Sequence, residues 1–394
     1  MSATVALLDV GTSRVKAVLL ERGGRRLAFS ERQAAPLCLG PAGATQDADS
    51  LLASVREVLS ELPPWQVLAF TVQRGTRLWV DDHGRPLGPM RSWLDGNLQQ
   101  AAPPGGRLRS LASWLAEQLG DGPAETAATA PAGAPEVRLV PPGTRVGSLI
   151  LGGGDKNCEY LGAGAYRPGR AALSFGTAIG LSVLAREGTV GDRPGMVITP
   201  ASRPGYLNLE VGLPFGAPTA CWLRELLGTD LGDLGEPKPP AADAPFFLPF
   251  LRGSLFHPKS YGVLAGLGPL TSSAEIVRAW LEGVVLELKR GSELFPPFKH
   301  IAVSGGGTCG GVSLAPDLAD AIGMPVLQLF DPNAGLAGAA MVAARALGWE
   351  RTWASAFRTY GLLEGRLHRP RQSARCGWQA RYERYLELCR RHFC

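Results

Sequence analysis

The sequence lacks the features that would place the chain in an oxidising compartment or a membrane. Its 394 residues include seven cysteines, an odd number, and no two of them have the CxxC spacing of a redox or zinc motif. The first residues contain no basic segment, so no secretory signal is expected. No uncharged stretch is both long and apolar enough to span a bilayer. We therefore predict a cytoplasmic protein with no membrane partner.

Lysine is also scarce, with six residues, and arginine supplies most of the positive charge. The formal net charge is +5, and the basic residues are spread along the chain except between Arg366 and Arg391. A nucleic-acid-binding protein normally has a clustered basic face or a known binding module. Since the sequence shows neither, no nucleic-acid partner is expected. With 45% hydrophobic and 19% charged residues, the chain is globular rather than disordered.

Glycine and proline, by contrast, are abundant, with 51 and 32 residues respectively. They have no regular period, so they mark tight turns and close backbone approaches rather than a collagen-like fibre. Between them, apolar residues alternate between strand and helix spacing, which predicts an α/β fold. The Ala-, Pro- and Gly-rich residues 121–145 are expected to form a loose linker. Helices are predicted over 47–62, 108–119, 216–227, 273–291, 313–322, 334–347 and 378–392.

Residues 8–19 and 173–184 form an internal repeat. They align without gaps at an offset of 165, and each has the pattern of a strand, a Gly-Thr turn and a second strand. The repeat predicts a duplicated domain with its two turns facing each other across a cleft; two unrelated hairpins are the alternative. Backbone N–H groups at such glycines approach an anion closely, and threonine adds a donor. Gly11, Thr12, Gly176 and Thr177 are therefore candidates for binding nucleotide phosphates.

Two aspartates lie beside glycine-rich segments. Asp9 adjoins the first turn and is a suitable partner for Mg²⁺, which takes one or two carboxylates together with waters and phosphate oxygens. Asp155 follows three glycines after a predicted strand, where its carboxylate would accept a proton from a substrate hydroxyl. The structural alternatives are a turn or capping role for Asp9 and an N-cap role for Asp155.

A further glycine-rich segment supports a different hypothesis. Gly305, Gly307 and Gly310 fit the pattern GxGxxG, and Asp331 follows 21 residues after Gly310. This spacing is typical of a dinucleotide-binding fingerprint, so an NAD-dependent oxidoreductase is a candidate. That hypothesis leaves the internal repeat unexplained. The sequence contains no GxxxxGK[ST] segment, which excludes a P-loop enzyme.

In this order, the motifs resemble those of the FGGY carbohydrate kinases, a family of the sugar-kinase, Hsp70 and actin superfamily. The similarity is spread over about residues 3–347. It comprises a first phosphate motif at 9–16, sugar-contacting segments at 72–75 and 93–95, the segment of the catalytic aspartate at 152–155, a second phosphate motif at 174–178, a family signature at 262–282, an adenosine motif at 304–307 and a Gly/Ala-rich helix at 333–340.

The resemblance implies two RNase H-like domains of the actin-like ATPase fold. The first, residues 1–168, would bind the sugar and is shortened between 96 and 146; the second, residues 169–394, would bind ATP. ATP and Mg²⁺ would be the cofactors. Asp155 would act as the general base, and Asp9 and Asp155 would bind the metal ion. The implied ATP-binding residues are Gly11, Thr12, Ser13, Lys16, Gly176, Thr177, Gly305, Gly306, Gly307 and Asn333. The implied substrate-binding residues are Gln73, Arg74, Trp93, Asp95 and Lys156.

The chain departs from the family at several positions. Only 59 residues separate Asp95 from Asp155, where family members usually have more, so the sugar site is expected to be more open or completed by a partner subunit in a homodimer. Lys156 stands where the family usually has Asn or Gln; it would favour the ionised base and attract an anionic substrate, or it would simply point to solvent. Arg74 is shared with glycerol kinases, but Gly75 replaces their Glu.

The leading hypothesis is therefore an ATP-dependent kinase that phosphorylates a hydroxyl of a small sugar or polyol, most similar to xylulose kinases. Two alternatives remain open at this point. One is the NAD-dependent oxidoreductase, and the other is a catalytically inactive ATP- and sugar-binding sensor, suggested by the shortened sugar-side region.

Overall fold

The computed structural model describes residues 3–40, 43–95, 102–120, 122–127, 129–130, 139–191, 193–228, 243–305 and 313–393. The helices are α1 Ala48–Ser60, α2 Leu111–Leu119, α3 Asp155–Gly162, α4 Ala217–Leu227, α5 Ser273–Ser292, α6 Ala315–Ile322, α7 Ala334–Ala346, α8 Trp353–Tyr360 and α9 Arg375–Phe393. The strands are β1 Thr4–Val10, β2 Arg14–Glu21, β3 Arg26–Gln33, β4 Cys38–Gly40, β5 Gly43–Gln46, β6 Leu68–Val72, β7 Arg77–Val80, β8 Met90–Arg91, β9 Arg107–Ser110, β10 Glu125–Thr126, β11 Leu139–Val140, β12 Arg145–Val146, β13 Leu149–Gly154, β14 Arg170–Phe175, β15 Ile179–Arg186, β16 Val197–Pro200, β17 Tyr206–Leu213, β18 Phe246–Leu248, β19 Val263–Ala265, β20 His300–Ser304, β21 Val326–Leu329 and β22 Gly365–His368.

The chain divides into two compact units. The first contains residues 1–162, 200–206 and 333–362, so that α7 and α8 pack with the N-terminal part of the chain. The second contains residues 163–199, 207–332 and 363–394. None of the described helices is long and apolar enough to cross a membrane.

The first unit is built on a six-stranded sheet with the order β12-β13-β6-β1-β2-β3. One face, with Ala6 and Leu8 of β1, packs on the apolar side chains of α1 and α2. Neighbouring residues of a strand point to opposite faces, so Leu7 and Asp9 face the other side, where α7 lies against β1, β6 and β13. A smaller sheet with the order β4-β5-β8-β7-β9 belongs to the same unit.

The second unit repeats this topology. Its seven-stranded sheet has the order β16-β17-β15-β14-β20-β21-β22. Each unit contains an antiparallel hairpin, β1–β2 in the first and β14–β15 in the second. The first strand of the hairpin also pairs in parallel with a later strand, β1 with β6 and β14 with β20. The core of the second unit lies between this sheet and helices α4, α5, α6 and α9. The predicted α/β fold with a duplicated RNase H-like topology is confirmed.

The gapless alignment of the repeat holds for the first strand of each hairpin but not for the second. Val10 pairs with Val15 across the first turn, whereas Phe175 pairs with Ile179, so the second turn is one residue shorter. The core-facing Val15 is thus equivalent to Ile179, and not to Gly180 as the alignment has it. Because a one-residue shift turns a strand's side chains to the other face, only strand pairing identifies the equivalent residues.

The helices predicted from apolar spacing are confirmed to within a few residues at each end, and α2 starts after β9. Side-chain caps mark several of their starts: Asp47 accepts from Ser50 N before α1, and Ser272 and Glu275 form a capping box at α5. Helices α3 and α8 were not predicted.

The region predicted to be a loose linker contains a packed element. Strand β10 pairs with β11, and the Glu125 side chain, in a residue only 2% exposed, accepts hydrogen bonds from Ser110 Oγ, Thr129 Oγ1 and Thr126 N. Burial is the main cause that raises the pKa of Glu125 from its ordinary value near 4.5 to about 7, against the lowering effect of its hydrogen bonds. Described residues of 121–145 thus belong to the fold of the first unit.

Replacing Glu125 by Gln is expected to change how stability depends on pH. The folded protein holds a proton on Glu125 between about pH 4.5 and 7 and the unfolded chain does not, so the wild type loses stability as pH rises through this window, by up to about 3 kcal/mol. The Glu125→Gln variant lacks this loss. Urea unfolding of both proteins at pH 5 and pH 8 measures the difference, with exposed Glu57→Gln as the control. A wild-type-to-variant difference that is equal at both pH values would contradict the prediction.

Candidate active site

The carboxyl ends of three adjacent strands meet at one edge of the first unit's sheet. Strands β13, β6 and β1 are parallel neighbours, and Val72 at the end of β6 pairs with both Val10 and Gly154. Asp155 directly follows β13, and Arg74 follows β6 by two residues. In open α/β sheets, ligands bind outside the carboxyl ends of the strands. This edge is therefore the candidate active site of the first unit.

Asp9 is the penultimate residue of β1, and its side chain faces α7. A Cβ atom at Gly335 would lie 2.6 Å from Asp9 Oδ2, so glycine is what allows the helix to approach the carboxylate. Asp9 Oδ1 is buried and has no hydrogen-bond partner among the described residues. Burial, and then the charge of Asp155, raises the pKa of Asp9 from near 3.8 to about 7, although Lys16 opposes the shift. A buried carboxylate oxygen without a donor is suited to bind a cation.

Lys16 lies beside Asp9 and connects the hairpin to the start of α7. It pairs with Asp9 across strands β1 and β2, and its ammonium donates to Asn333 Oδ1 at 3.0 Å. The Asn333 side chain makes no capping bond to α7, which it precedes. Two residues predicted to bind ATP, 317 positions apart in sequence, are thus in contact. The N-terminus of α7 adds the positive end of a helix dipole to this edge.

Asp155 is the first residue of α3, and its Oδ1 accepts a hydrogen bond from Lys156 N at 2.7 Å. Burial raises the pKa of Asp155 from near 3.8 to about 6, and the backbone N–H of Lys156 and the charges of Lys156 and Arg74 limit the rise. The Lys156 side chain is only 15% exposed and lies 3.9 Å from Glu159, so it does not simply point to solvent. Asp155 is thus the first residue of the helix and not the residue before it, so it does not make the predicted N-cap bond, and its carboxylate is held beside two cations.

The three glycines before Asp155 lie inside β13 rather than after a strand. The pairing of β13 with β6 is irregular between Leu151 and Gly153, where Gly152 is skipped. A Cβ atom at Gly152 would lie 2.7 Å from Phe70 O, and Gly153 has a φ of +102°. Glycine is needed at both positions, because the strand end is bent against its neighbour. The bend carries the chain directly into α3 at Asp155.

The predicted sugar-side residues form a connected polar chain in the first unit. Thr12 Oγ1 donates to Gln73 Oε1 at 3.2 Å and accepts from Trp93 Nε1 at 3.1 Å. Gln73 in turn donates to Gln46 Oε1 at 2.9 Å. The Thr12 hydroxyl, predicted to contact phosphate, is thus engaged with two residues predicted to contact the sugar.

Arg74 and Asp95 are placed differently within this region. Arg74 Nη1 donates to Asn157 Oδ1 at 3.1 Å, which fixes the guanidinium beside α3. Asp95 is buried, accepts from Arg91 Nη1 at 3.0 Å and fills the space left by the absent side chain of Gly43. Arg74 therefore lies at the edge with Asp155, whereas Asp95 lies in an ion pair on the smaller sheet.

In the second unit, the carboxyl ends of the parallel strands β14 and β20 lead to the Gly176–Thr177 turn and to Gly305. Gly305 has a φ of +110°, and a Cβ atom there would lie 2.5 Å from Phe175 O, so glycine is required on both grounds. Thr177 O accepts from Gly216 N at 2.8 Å, just before α4. The two predicted nucleotide segments are thereby neighbours at one edge of the sheet.

The other glycines of the GxGxxG segment, Gly306, Gly307 and Gly310, lie outside the described residues. Gly306 and Gly307 are also the predicted nucleoside contacts. The described strands around the segment form a mixed sheet, in which β15 is antiparallel to β14 and β22 is antiparallel to β21. A dinucleotide-binding Rossmann sheet is mostly parallel. The fold therefore does not support the NAD-binding hypothesis.

Four residues of the first unit's edge were not identified from the sequence. Glu159 lies one helical turn after Asp155 and raises the pKa of both aspartates by its charge. Its spacing of four from Asp155 is a usable signal once a helix is assumed. The other three, which hold neighbouring site residues by hydrogen bonds or by close packing, are Gln46, Asn157 and Gly335. Their roles depend on long-range contacts for which the sequence gives no local signal.

Comparison with known proteins agrees with this geometry. Residues 171–347 match the profile of the FGGY family of carbohydrate kinases, C-terminal domain. A glycerol kinase of Ralstonia nicotianae is 27% identical over 223 residues, which cover 52% of this chain and 44% of that relative. The match thus spans less than half of the length of that relative.

Solved structures resemble the chain over nearly its whole length. A gluconate kinase from Lactobacillus acidophilus aligns with a TM-score of 0.83 at 15% identity, covering 99% of this chain and 98% of its own. A ligand-bound xylulose kinase from the same organism aligns with a TM-score of 0.82 at 15% identity, covering 98% of each chain. At this identity the likeness establishes the fold, which is that of the actin-like ATPases. Residues 171–347 are thus similar to the C-terminal domain of carbohydrate kinases, which are phosphotransferases.

Proposed function

We propose that this chain transfers the γ-phosphoryl group of ATP to a hydroxyl of a small sugar or polyol. The observation that carries the proposal is the pair of half-buried carboxylates, Asp9 and Asp155, at the carboxyl edge of the first unit's sheet, with raised pKa values and cationic neighbours. Phosphoryl transfer needs a positioned proton acceptor and cations rather than covalent chemistry by the protein. The family match of residues 171–347 supports the same reaction.

Asp155 is assigned as the general base. Its Oδ1 is fixed by Lys156 N, so we assign the substrate's proton to Oδ2. With a pKa of about 6, the carboxylate is largely ionised at neutral pH and is a stronger base than an exposed aspartate. The backbone N–H of Lys156 and the charges of Lys156 and Arg74 favour its ionised form against the effect of burial.

Asp9 is assigned to Mg²⁺, together with Asp155. The buried Asp9 Oδ1 without a donor among the described residues fits a cation ligand. No three His, Cys, Asp or Glu side chains in the described part of the chain are grouped closely enough to hold a metal alone. This fits Mg²⁺, which completes its shell with waters and phosphate oxygens. When bound, the ion would neutralise charge on the transferring phosphoryl group.

We assign sugar binding to residues 1–168 and ATP binding mainly to residues 169–394. In the second segment, Gly176, Thr177 and Gly305 present backbone at the carboxyl edge of the sheet, where an anionic ligand meets N–H groups. In the first segment, Lys16 supplies a positive charge for phosphate. The other ATP-binding residues that we assign are Gly11, Thr12, Ser13, Gly306, Gly307 and Asn333.

The proposed acceptor is a small ketose or polyol of the kind used by xylulose kinases. Gly75 has a φ of +77°, and a Cβ atom there would lie 3.3 Å from Trp93 Cβ. The Glu that glycerol kinases have at this position would therefore strain the backbone here. Gln73, Arg74, Trp93 and Lys156 are assigned to the acceptor.

Release of ADP over a panel of pentuloses, hexuloses, polyols and sugar acids tests the proposal. We expect a productive acceptor to give turnover on the order of 1–100 per second with Mg²⁺ present, and none without it. Calorimetric titration with ATP-Mg²⁺ and with NAD is the control. Binding of NAD without binding of ATP would overturn the kinase proposal. Binding of ATP without turnover of any acceptor would favour the inactive sensor.

A further inference from the structure

The outer edge of the second unit's sheet is formed by β22, a short strand with exposed apolar side chains beside it. Strand β22 pairs with β21 and is the last strand in the order of the sheet, so no described strand lies on its other side. Leu363 and Leu367 are 53% and 50% exposed, and Phe330, which follows β21, is 70% exposed. An edge strand carries unpaired N–H and C=O groups and is a template for pairing with another chain. This edge therefore has the chemistry of a strand-pairing surface.

The hydrogen bonds to β21 determine which backbone groups of β22 point outwards. Phe330 N donates to Glu364 O at 3.2 Å, which extends the antiparallel ladder by one residue pair. In such a ladder, residues that bond to the partner strand alternate with residues that do not. Every second residue, starting from Glu364, thus bonds towards β21. The residues between them direct their N–H and C=O groups outwards, where no described residue bonds to them; these are Leu363, Gly365 and Leu367.

Opposite charges flank Gly365 in the middle of this edge. Glu364 and Arg366 are exposed, and neither side chain forms an ion pair with another described residue. Two copies of the strand that meet about a two-fold axis pair antiparallel. An axis at Glu364 or at Arg366 would place like charges opposite each other. An axis at Gly365 instead places each Glu364 opposite an Arg366, and each Leu363 opposite a Leu367.

We propose that the outer edge of β22 binds a second copy of this chain about a two-fold axis at Gly365. The outward groups of Gly365 then bond to those of Gly365 in the second copy, and Leu363 bonds to Leu367. Two Glu364–Arg366 pairs lie on one face of the joined sheet and two leucine pairs on the other. Opposite charges and apolar pairs directly across two strands stabilise a sheet, whereas like charges there destabilise it.

The contact uses the same surface on both copies, so it closes as a dimer and does not continue into a fibre. Since only a few residues of each copy take part, we expect weak, concentration-dependent association. Strand β22 follows residues 171–347, so the contact lies outside the segment that matches the family profile. The dimer does not depend on the proposed reaction.

Sedimentation equilibrium of the full-length chain at about 5 to 500 µM measures the association, a range chosen because a contact of this size is weak. We expect the wild type to form dimers as its concentration rises. Glu364→Lys and Arg366→Glu should each raise the dissociation constant by about tenfold or more, because either change makes both charge pairs like-charged.

An equimolar mixture of the two variants separates a loss of pairing from a loss of folding. One variant carries two positive charges at this edge and the other carries two negative charges, so every pair between them is again opposite. We expect the mixture, and also the double variant Glu364→Lys/Arg366→Glu, to associate about as tightly as the wild type. Glu387→Lys is the matched control, because Glu387 is an exposed carboxylate of the same unit that pairs with Arg384. It should leave the dissociation constant unchanged.

Amide hydrogen exchange resolved to single residues reports the register. Protection of Gly365 and Leu367 should rise with protein concentration, whereas Arg366, which already bonds towards β21, should change little. A wild type that stays monomeric at every concentration would overturn the proposal, as would a dimer that neither single variant weakens. A mixture of the variants that associates no more tightly than either alone would exclude the axis at Gly365.

Discussion

Replacing Asp155 by Asn should lower kcat for phosphorylation of the acceptor by about 10²- to 10⁴-fold. The substitution keeps the shape of the side chain and the acceptor oxygen for Lys156 N, but it removes the group that takes the hydroxyl proton. We expect the dissociation constant of ATP to change little, because we assign nucleotide binding mainly to the second segment. Steady-state kinetics together with calorimetric titration of ATP separate the two effects.

Asp49→Asn is the control for this variant. Both aspartates lie in the first turn of a helix of the first unit, Asp49 in α1 and Asp155 in α3. The Asp49 side chain is exposed. It should leave kcat unchanged. If Asp155→Asn retained wild-type turnover, Asp155 would not be the base, and its carboxylate would have a purely structural role at the start of α3.

Replacing Gly338 by Ala should destabilise the protein by about 3 kcal/mol or more. A Cβ atom at Gly338 would lie 1.9 Å from Cys158 O, so α7 and α3 must separate before the new methyl group fits. Backbone atoms cannot turn aside as a side chain does, which makes this an overpacking of the severe kind. Because α7 carries Gly335 beside Asp9 and α3 begins at Asp155, the same separation should also reduce turnover.

Urea unfolding followed by circular dichroism measures this loss, with Gly40→Ala as the control. A Cβ atom at Gly40 would meet nothing within 4 Å, and its φ is not in the left-handed region, so the cost there should stay within about 0.5 kcal/mol. A Gly338→Ala protein as stable as the wild type would show that the helices pack less closely than described.

Local structure followed closely from local sequence. The apolar spacing of residues 47–62 and 273–291 predicted α1 and α5, because a period near 3.6 places those side chains on one helix face. The Gly-Thr turns of both hairpins were recognised for a similar reason, since a tight turn leaves a strong compositional mark. The eight-residue helix α3 left no such mark, and the buried Glu125 lay in a segment whose composition indicated only a linker.

The sequence by itself determined the order of the motifs, the alternation of strands and helices, and the residue types available for chemistry. Only the tertiary structure decided that residues 333–362 pack with the first unit, that Lys16 contacts Asn333, and that Arg91 pairs with Asp95. It also decided that the second hairpin turns one residue earlier than the alignment implies. The physical reason is the range of the interactions. Backbone preference and side-chain period act over a few residues and are written locally, whereas close glycine contacts, strand register and buried charge pairs join distant segments and are fixed only when those segments pack.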